Sequence, residues 1–83
     1  MKYTLTKHAE KVLKEREIPL EYVERALNDP EWIEPDRDDP ELEHRLRRMP
    51  EYGNRALRVV LNRNAEPANI VTVYYDRKMR GKL

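Results

Sequence analysis

The chain reads as an α+β domain in which two N-terminal helices pack on one face of an antiparallel sheet of three or four strands. Three observations predict this. Apolar residues recur at helical spacing up to residue 28, three runs after residue 43 alternate like strands, and the stretch between is rich in proline and acid and has no period. Helices followed by a run of strands, with short turns between the strands, is the pattern of a two-layer domain with one covered sheet face.

The first helix is expected from Thr6 to Glu17, where Ala9, Val12, Leu13 and then Ile18 form one apolar stripe and Thr6 stands in the N-cap position. Pro19 suits the first turn of a new helix. Leu20, Val23, Ala26 and Leu27 continue as its stripe to about Asn28, giving a helical hairpin over 6–28. Residues 29–43 hold three prolines, eight acids and one arginine, which is turn chemistry and predicts an acidic loop pinned by Trp32 and Ile33. Strands are expected at His44–Arg48, Ala56–Asn62 and Asn69–Asp76, joined by the hairpin-length connections MPEYGN and RNAEPA, so the sheet spans 44–76. A basic tail, 77–83, completes a single domain.

Composition narrows the function classes. With 83 residues, 39% hydrophobic and 40% charged, the chain has room for one modest core. The absence of cysteine excludes disulfides and thiolate metal sites, and two histidines without nearby carboxylates in ligand spacing predict no metal. Two glycines leave no Gly-rich phosphate loop, and no cofactor is expected. The opening MKYTLTKHAEKVLKER has no continuous apolar run, so the expectation is a cytoplasmic protein without a membrane partner. Charge is polarised: residues 1–43 hold 7 Lys/Arg against 13 Asp/Glu, a balance of −6, while 44–83 hold 10 against 3, a balance of +7. A clustered basic face is the footprint of a nucleic-acid binder; solvated faces that attract one another across the fold are the alternative.

Strand alternation divides the side chains between two faces. Leu57, Val59 and Leu61 are expected toward the helices together with Val71, Val73, Tyr75 and Leu46. Arg45, Arg47, Arg58, Ile70, Thr72 and Tyr74 are expected outward. Three guanidiniums, a hydroxyl and a phenol on one open face suit phosphate and base recognition, and Lys78 and Arg80 extend the patch. His8, at the edge of the first helical stripe, and His44, beside Arg45, are the two candidates for acid–base work.

The segments KHAEKVLKEREIPLEYVERALNDP, ELEHRLRRMPEYGNRALRVVLN and IVTVYYDRKMRGKL together resemble a family of small bacterial proteins classed as a domain of unknown function. The resemblance covers nearly the whole chain and is most specific at His8-Ala9 and at the C-terminal motif. It implies a RelE-like, barnase-like fold of the group that includes EndoU and colicin nucleases. It further implies a metal-independent endoribonuclease acting as the toxin of a toxin–antitoxin pair, with RNA as substrate and a small antitoxin protein as partner. Polar positions of the family pattern retained here are His8, Arg16, Arg58, Thr72, Tyr74, Asp76 and Arg77. The chain departs from the family at Val12, where a basic residue one turn after His8 is usual.

Metal-free cleavage needs a proton acceptor for the 2′-hydroxyl, charge stabilisation at phosphorus and a proton donor for the leaving oxygen. The candidate catalytic set is His8, Arg58, Tyr74 and Arg77, and the candidate RNA-binding set is Arg45, Arg47, Thr72, Lys78 and Arg80. Asp76 is expected to hold a guanidinium or a tail amine and not the anionic ligand. Two rival readings use the same residues: a module that grips RNA or an acidic protein without chemistry, and a structural domain whose acidic loop covers its own basic face.

Overall fold

The computed structural model describes all 83 residues, Met1–Leu83. In chain order the elements are β1 (Tyr3–Leu5), α1 (Lys7–Glu15), α2 (Leu20–Asn28), β2 (Trp32–Pro35), β3 (Glu43–Met49), β4 (Arg55–Asn62) and β5 (Ala68–Tyr75), with short 3₁₀ turns at Pro50–Tyr52 and Arg77–Met79. The five strands form one sheet in the order β1-β5-β4-β3-β2. β1 runs parallel to β5, and the other three pairings are antiparallel. The sheet is therefore five-stranded and mixed, not an antiparallel sheet of three or four strands, and it does not support the RelE-like, barnase-like layout expected of the chain. The two unexpected strands are the edges. YTL and WIEP span three and four residues, too short for a period of two to stand out, and each gains its extended form from a longer neighbour.

The helices form where the stripes place them. Thr6 caps α1 through its hydroxyl, which accepts from Ala9 N–H at 3.0 Å and donates to the Val71 carbonyl at 3.0 Å, so one side chain ties the helix start to β5. Glu17, at φ 52°, turns the chain between the helices. α1 packs over β5, and α2 packs over β4 and β3. Ala9, Val23, Ala26, Leu27, Leu57, Val59, Ile70 and Val73 are fully or almost fully buried between the layers. Gly53 and Asn54, both left-handed at φ 64° and 56°, close the β3–β4 connection, with Asn54 N–H donating to the Met49 carbonyl at 3.0 Å. No helix is long and apolar enough to cross a membrane.

The expected facing is reversed at Arg45, Leu46 and Arg47 in β3 and at Ile70 in β5. Arg45 lies opposite Val59 and Arg47 opposite Leu57, on the helix side, while Leu46 lies opposite Arg58 on the far face. The cause is the C-terminal end of α2, whose carbonyls lack partners within the helix. Arg45 Nη1 donates to the Leu27 carbonyl at 2.7 Å, and Arg47 Nη1 to the Asp29 carbonyl at 3.0 Å. In β5, Val60 pairs with Thr72 but Leu61 pairs with Ile70, so Val71 is an extra, bulged residue. Ile70 therefore turns inward and is fully buried, while Val73 and Tyr75 keep their expected facing.

Candidate nucleic-acid interface

The acidic stretch neutralises much of the basic half. Arg45 pairs with Glu43 at 2.7 Å, Arg47 with Asp29 at 3.3 Å, Arg48 with Glu31 at 2.7 Å, Arg58 with Glu34 at 2.7 Å and Arg63 with Glu43 at 3.4 Å. Residues 29–43 are thus clamped down by ion pairs and by the β2–β3 ladder. Trp32 and Ile33 do not pin them, since both side chains are exposed, at 45% and 53%.

Arg58 is the centre of this clamp. It is 8% exposed and sits in the far-face row Trp32, Leu46, Arg58, Tyr74, next to the row Glu34, His44, Val60, Thr72. Its Nε donates to Asp76 Oδ2 at 2.9 Å and its Nη2 reaches the same oxygen at 2.8 Å. Its Nη1 serves Glu34 Oε1 at 2.7 Å and His44 Nδ1 at 2.7 Å. Three of the five guanidinium N–H bonds are committed, and Nη2 lies in ion-pair contact with Asp76. Because His44 Nδ1 accepts from Arg58, its Nε2 carries the proton and donates to Asp36 Oδ1 at 2.6 Å. Burial alone would lower the Arg58 pKa, but the bonds from Glu34 and Asp76 outweigh it and raise the value. The same arginine draws Glu34 below the usual carboxylate range, and His44 does so for Asp36. Bonded to Glu34, Asp76 and His44, this guanidinium has its charge offset and little left to offer a phosphate. Asp76 does hold a guanidinium, as expected, and its other oxygen accepts from Lys78 N–H at 2.9 Å.

Five arginines form no ion pair: Arg16, Arg37, Arg55, Arg77 and Arg80. Four of them line two adjoining cavities. One, of about 400 Å³, is bounded by Arg16, Arg55, Arg77, Thr72, Tyr74 and the end of α1; the other, of about 390 Å³, by Arg55, Tyr75, Asp76, Arg77 and Arg80. The groove exists because β1 pairs only with Ala68–Ile70, which leaves the rest of β5 as an open sheet edge beside α1. Asp76 N–H donates to the Ala56 carbonyl, which makes Arg58–Tyr74 a hydrogen-bonded pair and turns the amides of Val73 and Tyr75 away from β4, toward that edge.

Aromatic rings border the groove. Tyr74 and Tyr52 are exposed at 42% and 46%, the Tyr52 and Tyr75 rings lie 5.0 Å apart, and the Arg55 guanidinium sits 4.7 Å above the Tyr52 ring. Burial raises the Tyr74 hydroxyl pKa above its ordinary value, against a lowering by Arg58, and burial likewise raises that of Tyr75. His8, on the exposed side of α1, places Nε2 3.2 Å from Thr72 Oγ1. The structure thus brings His8, Thr72, Tyr74, Arg77 and Arg80 to one groove and leaves Lys78 exposed beside it. Arg58 lies beneath the far face, and Arg45 and Arg47 lie under α2. Arg55 is the residue that alternation did not single out. As the first residue of β4 it precedes the apolar run, and only its place three positions after Tyr52 hints at the ring beneath it.

No group of three or more His, Asp or Glu side chains is arranged to hold a metal ion. Residues 5–75 match the family described as Domain of unknown function (DUF4258), and the chain belongs to that family. Nothing in this match links the chain to a ribonuclease or toxin fold group. No curated protein and no solved structure is significantly similar to it.

Proposed function

We propose that this member of the DUF4258 family is a single-stranded RNA-binding module that holds successive phosphates in the arginine groove. The observation that carries the reading is the sorting of the arginines. Those facing the acidic stretch are paired, and four of the five unpaired ones converge on one groove. Unpaired guanidiniums beside exposed tyrosines match what single strands need: charge along the backbone and ring faces for bases. RNA as ligand implies a cytoplasmic setting. Fluorescence anisotropy with a labelled, unstructured RNA at low salt tests the proposal. Saturable binding that weakens steeply with salt is expected, and absence of binding at low salt overturns it.

One contact favours a second reading, metal-independent cleavage at the same groove. His8 Nε2 lies 3.2 Å from Thr72 Oγ1, and Thr72, Tyr74 and Arg77 line the cavity it borders. In this reading His8 accepts the proton of the 2′-hydroxyl as the 2′-oxygen attacks phosphorus. The P–O5′ bond breaks, and the leaving oxygen takes a proton from the Tyr74 hydroxyl, a phenol that is protonated at neutral pH. Arg16 and Arg77 offset the charge gathered on the phosphate, and no cofactor is needed. A cell carrying such an activity requires a restraining protein partner, an antitoxin in function. Incubating RNA with the protein and a chelator distinguishes the two: 2′,3′-cyclic phosphate ends that disappear in His8→Ala support cleavage, and RNA that is bound but intact leaves binding alone.

A further inference from the structure

At the other end of the sheet, away from the groove, β2 is an edge strand with nothing paired to its outer side. We infer that this edge is a docking strand for an extended, basic segment of a partner protein. Proteins usually blunt open edges with lysine, proline or a bulge. Here Pro35 closes only the last position, and Trp32 and Ile33 remain 45% and 53% exposed. Consecutive strand residues point to opposite faces, so an added strand finds an apolar side chain on each face of the sheet.

The edge is also held rigid. Glu31 accepts from the Arg48 backbone N–H at 2.8 Å and from its Nη2 at 2.7 Å. Glu34 accepts from Arg58 at 2.7 Å and Asp36 from His44 at 2.6 Å. A strand presented in its final form costs little ordering when a partner pairs with it. Charge selects the occupant. Between Asp29 and Glu43 there are eight carboxylates and one arginine, and Asp38, Asp39 and Glu41 have no cationic partner. An acidic or neutral strand gains nothing from them, whereas a segment alternating apolar residues with flanking lysine or arginine complements both the edge and its surroundings.

Trp32 is the only tryptophan in the chain, so its emission reports on the edge directly. The test titrates the full chain with a short peptide of alternating valine and threonine bracketed by lysines. A saturable blue shift that weakens with salt is expected. Ile33→Lys, whose circular dichroism should match the wild type because the site is exposed, should weaken binding by about tenfold or more. Asp38→Asn with Asp39→Asn and Glu41→Gln should remove the salt dependence. No saturable shift, or an equal shift with a glutamate-bracketed peptide, overturns the inference. So does a concentration-dependent increase in mass abolished by Ile33→Lys, which would make a second copy of this chain the occupant.

Discussion

Replacing Arg58 by alanine removes the guanidinium that joins β2, β3 and the end of β5, and leaves two carboxylates facing one another without a cation. The Arg58 side chain is 9% exposed and that of Asp76 13%, so this pair is in the buried regime; Glu34, at 40%, is partly screened by water. Removing one partner of a buried pair costs about 3–5 kcal/mol, and the screening of Glu34 places this site toward the lower figure, about 3 kcal/mol. A domain of this length is stable by roughly 4–12 kcal/mol, so the loss is a large share of the total. Thermal unfolding followed by circular dichroism should show a midpoint lower by about 12 °C or more. Arg58→Lys should recover little, because an ammonium lacks the planar fork that reaches Glu34 and Asp76 together. Arg58→Met combined with Glu34→Gln and Asp76→Asn should recover more than Arg58→Lys, since the uncompensated charges are gone. A wild-type midpoint in Arg58→Ala, accompanied by weakened RNA binding, would refute the reasoning and return Arg58 to the role of a phosphate ligand.

Val59 is fully buried between the layers, and Val59→Ala should cost about 1–3 kcal/mol by urea denaturation, from lost methyl burial and the cavity left. Arg45→Ala frees the Leu27 carbonyl and Glu43, so it should destabilise the fold by about 1–3 kcal/mol while leaving RNA affinity unchanged in anisotropy titrations. Acid should destabilise the domain over a defined window. Arg25 holds the Glu51 carboxyl at about 2, and Glu31, Glu34 and Asp36 are held below their ordinary values of 4.5, 4.5 and 3.8. A depressed folded-state pKa contributes stability that is complete above the unfolded value and disappears as pH falls through the folded one. The thermal midpoint should therefore hold steady down to a pH of about 5 and decline from there toward about 2.

The helical hairpin was legible because its signals are local: the Thr6 cap, the Ala9–Val12–Leu13 stripe and Pro19 each act within one or two turns. The three long strands were legible for the same reason. The edges were not, since Tyr3–Leu5 and Trp32–Pro35 are extended only because β5 and β3 pair with them. The facing of Arg45 was hidden by a partner 18 residues away in sequence, the C-terminal carbonyl of α2. Alternation assumes that a buried position is apolar, and an arginine that caps a helix breaks that rule. Of the residues that type singled out, Thr72, Tyr74, Arg77 and Arg80 come together near one strand end. What type could not convey is which arginines already have a carboxylate. That depends on which carboxylates reach each arginine: Glu34 and Asp76 hold Arg58, while Arg16 and Arg55 line the groove without an ion pair.

The salt dependence of RNA affinity, measured for single arginine variants, tests the division between free and committed arginines most directly. On single strands each phosphate contact contributes about −0.7 to the slope of log K against log salt. Arg16→Ala, Arg55→Ala, Arg77→Ala and Arg80→Ala should each weaken binding and flatten the slope by about that amount, and Arg45→Ala and Arg47→Ala should leave the slope unchanged. Flattening in the Arg45 and Arg47 variants, with none in the Arg55 and Arg77 variants, would contradict the account.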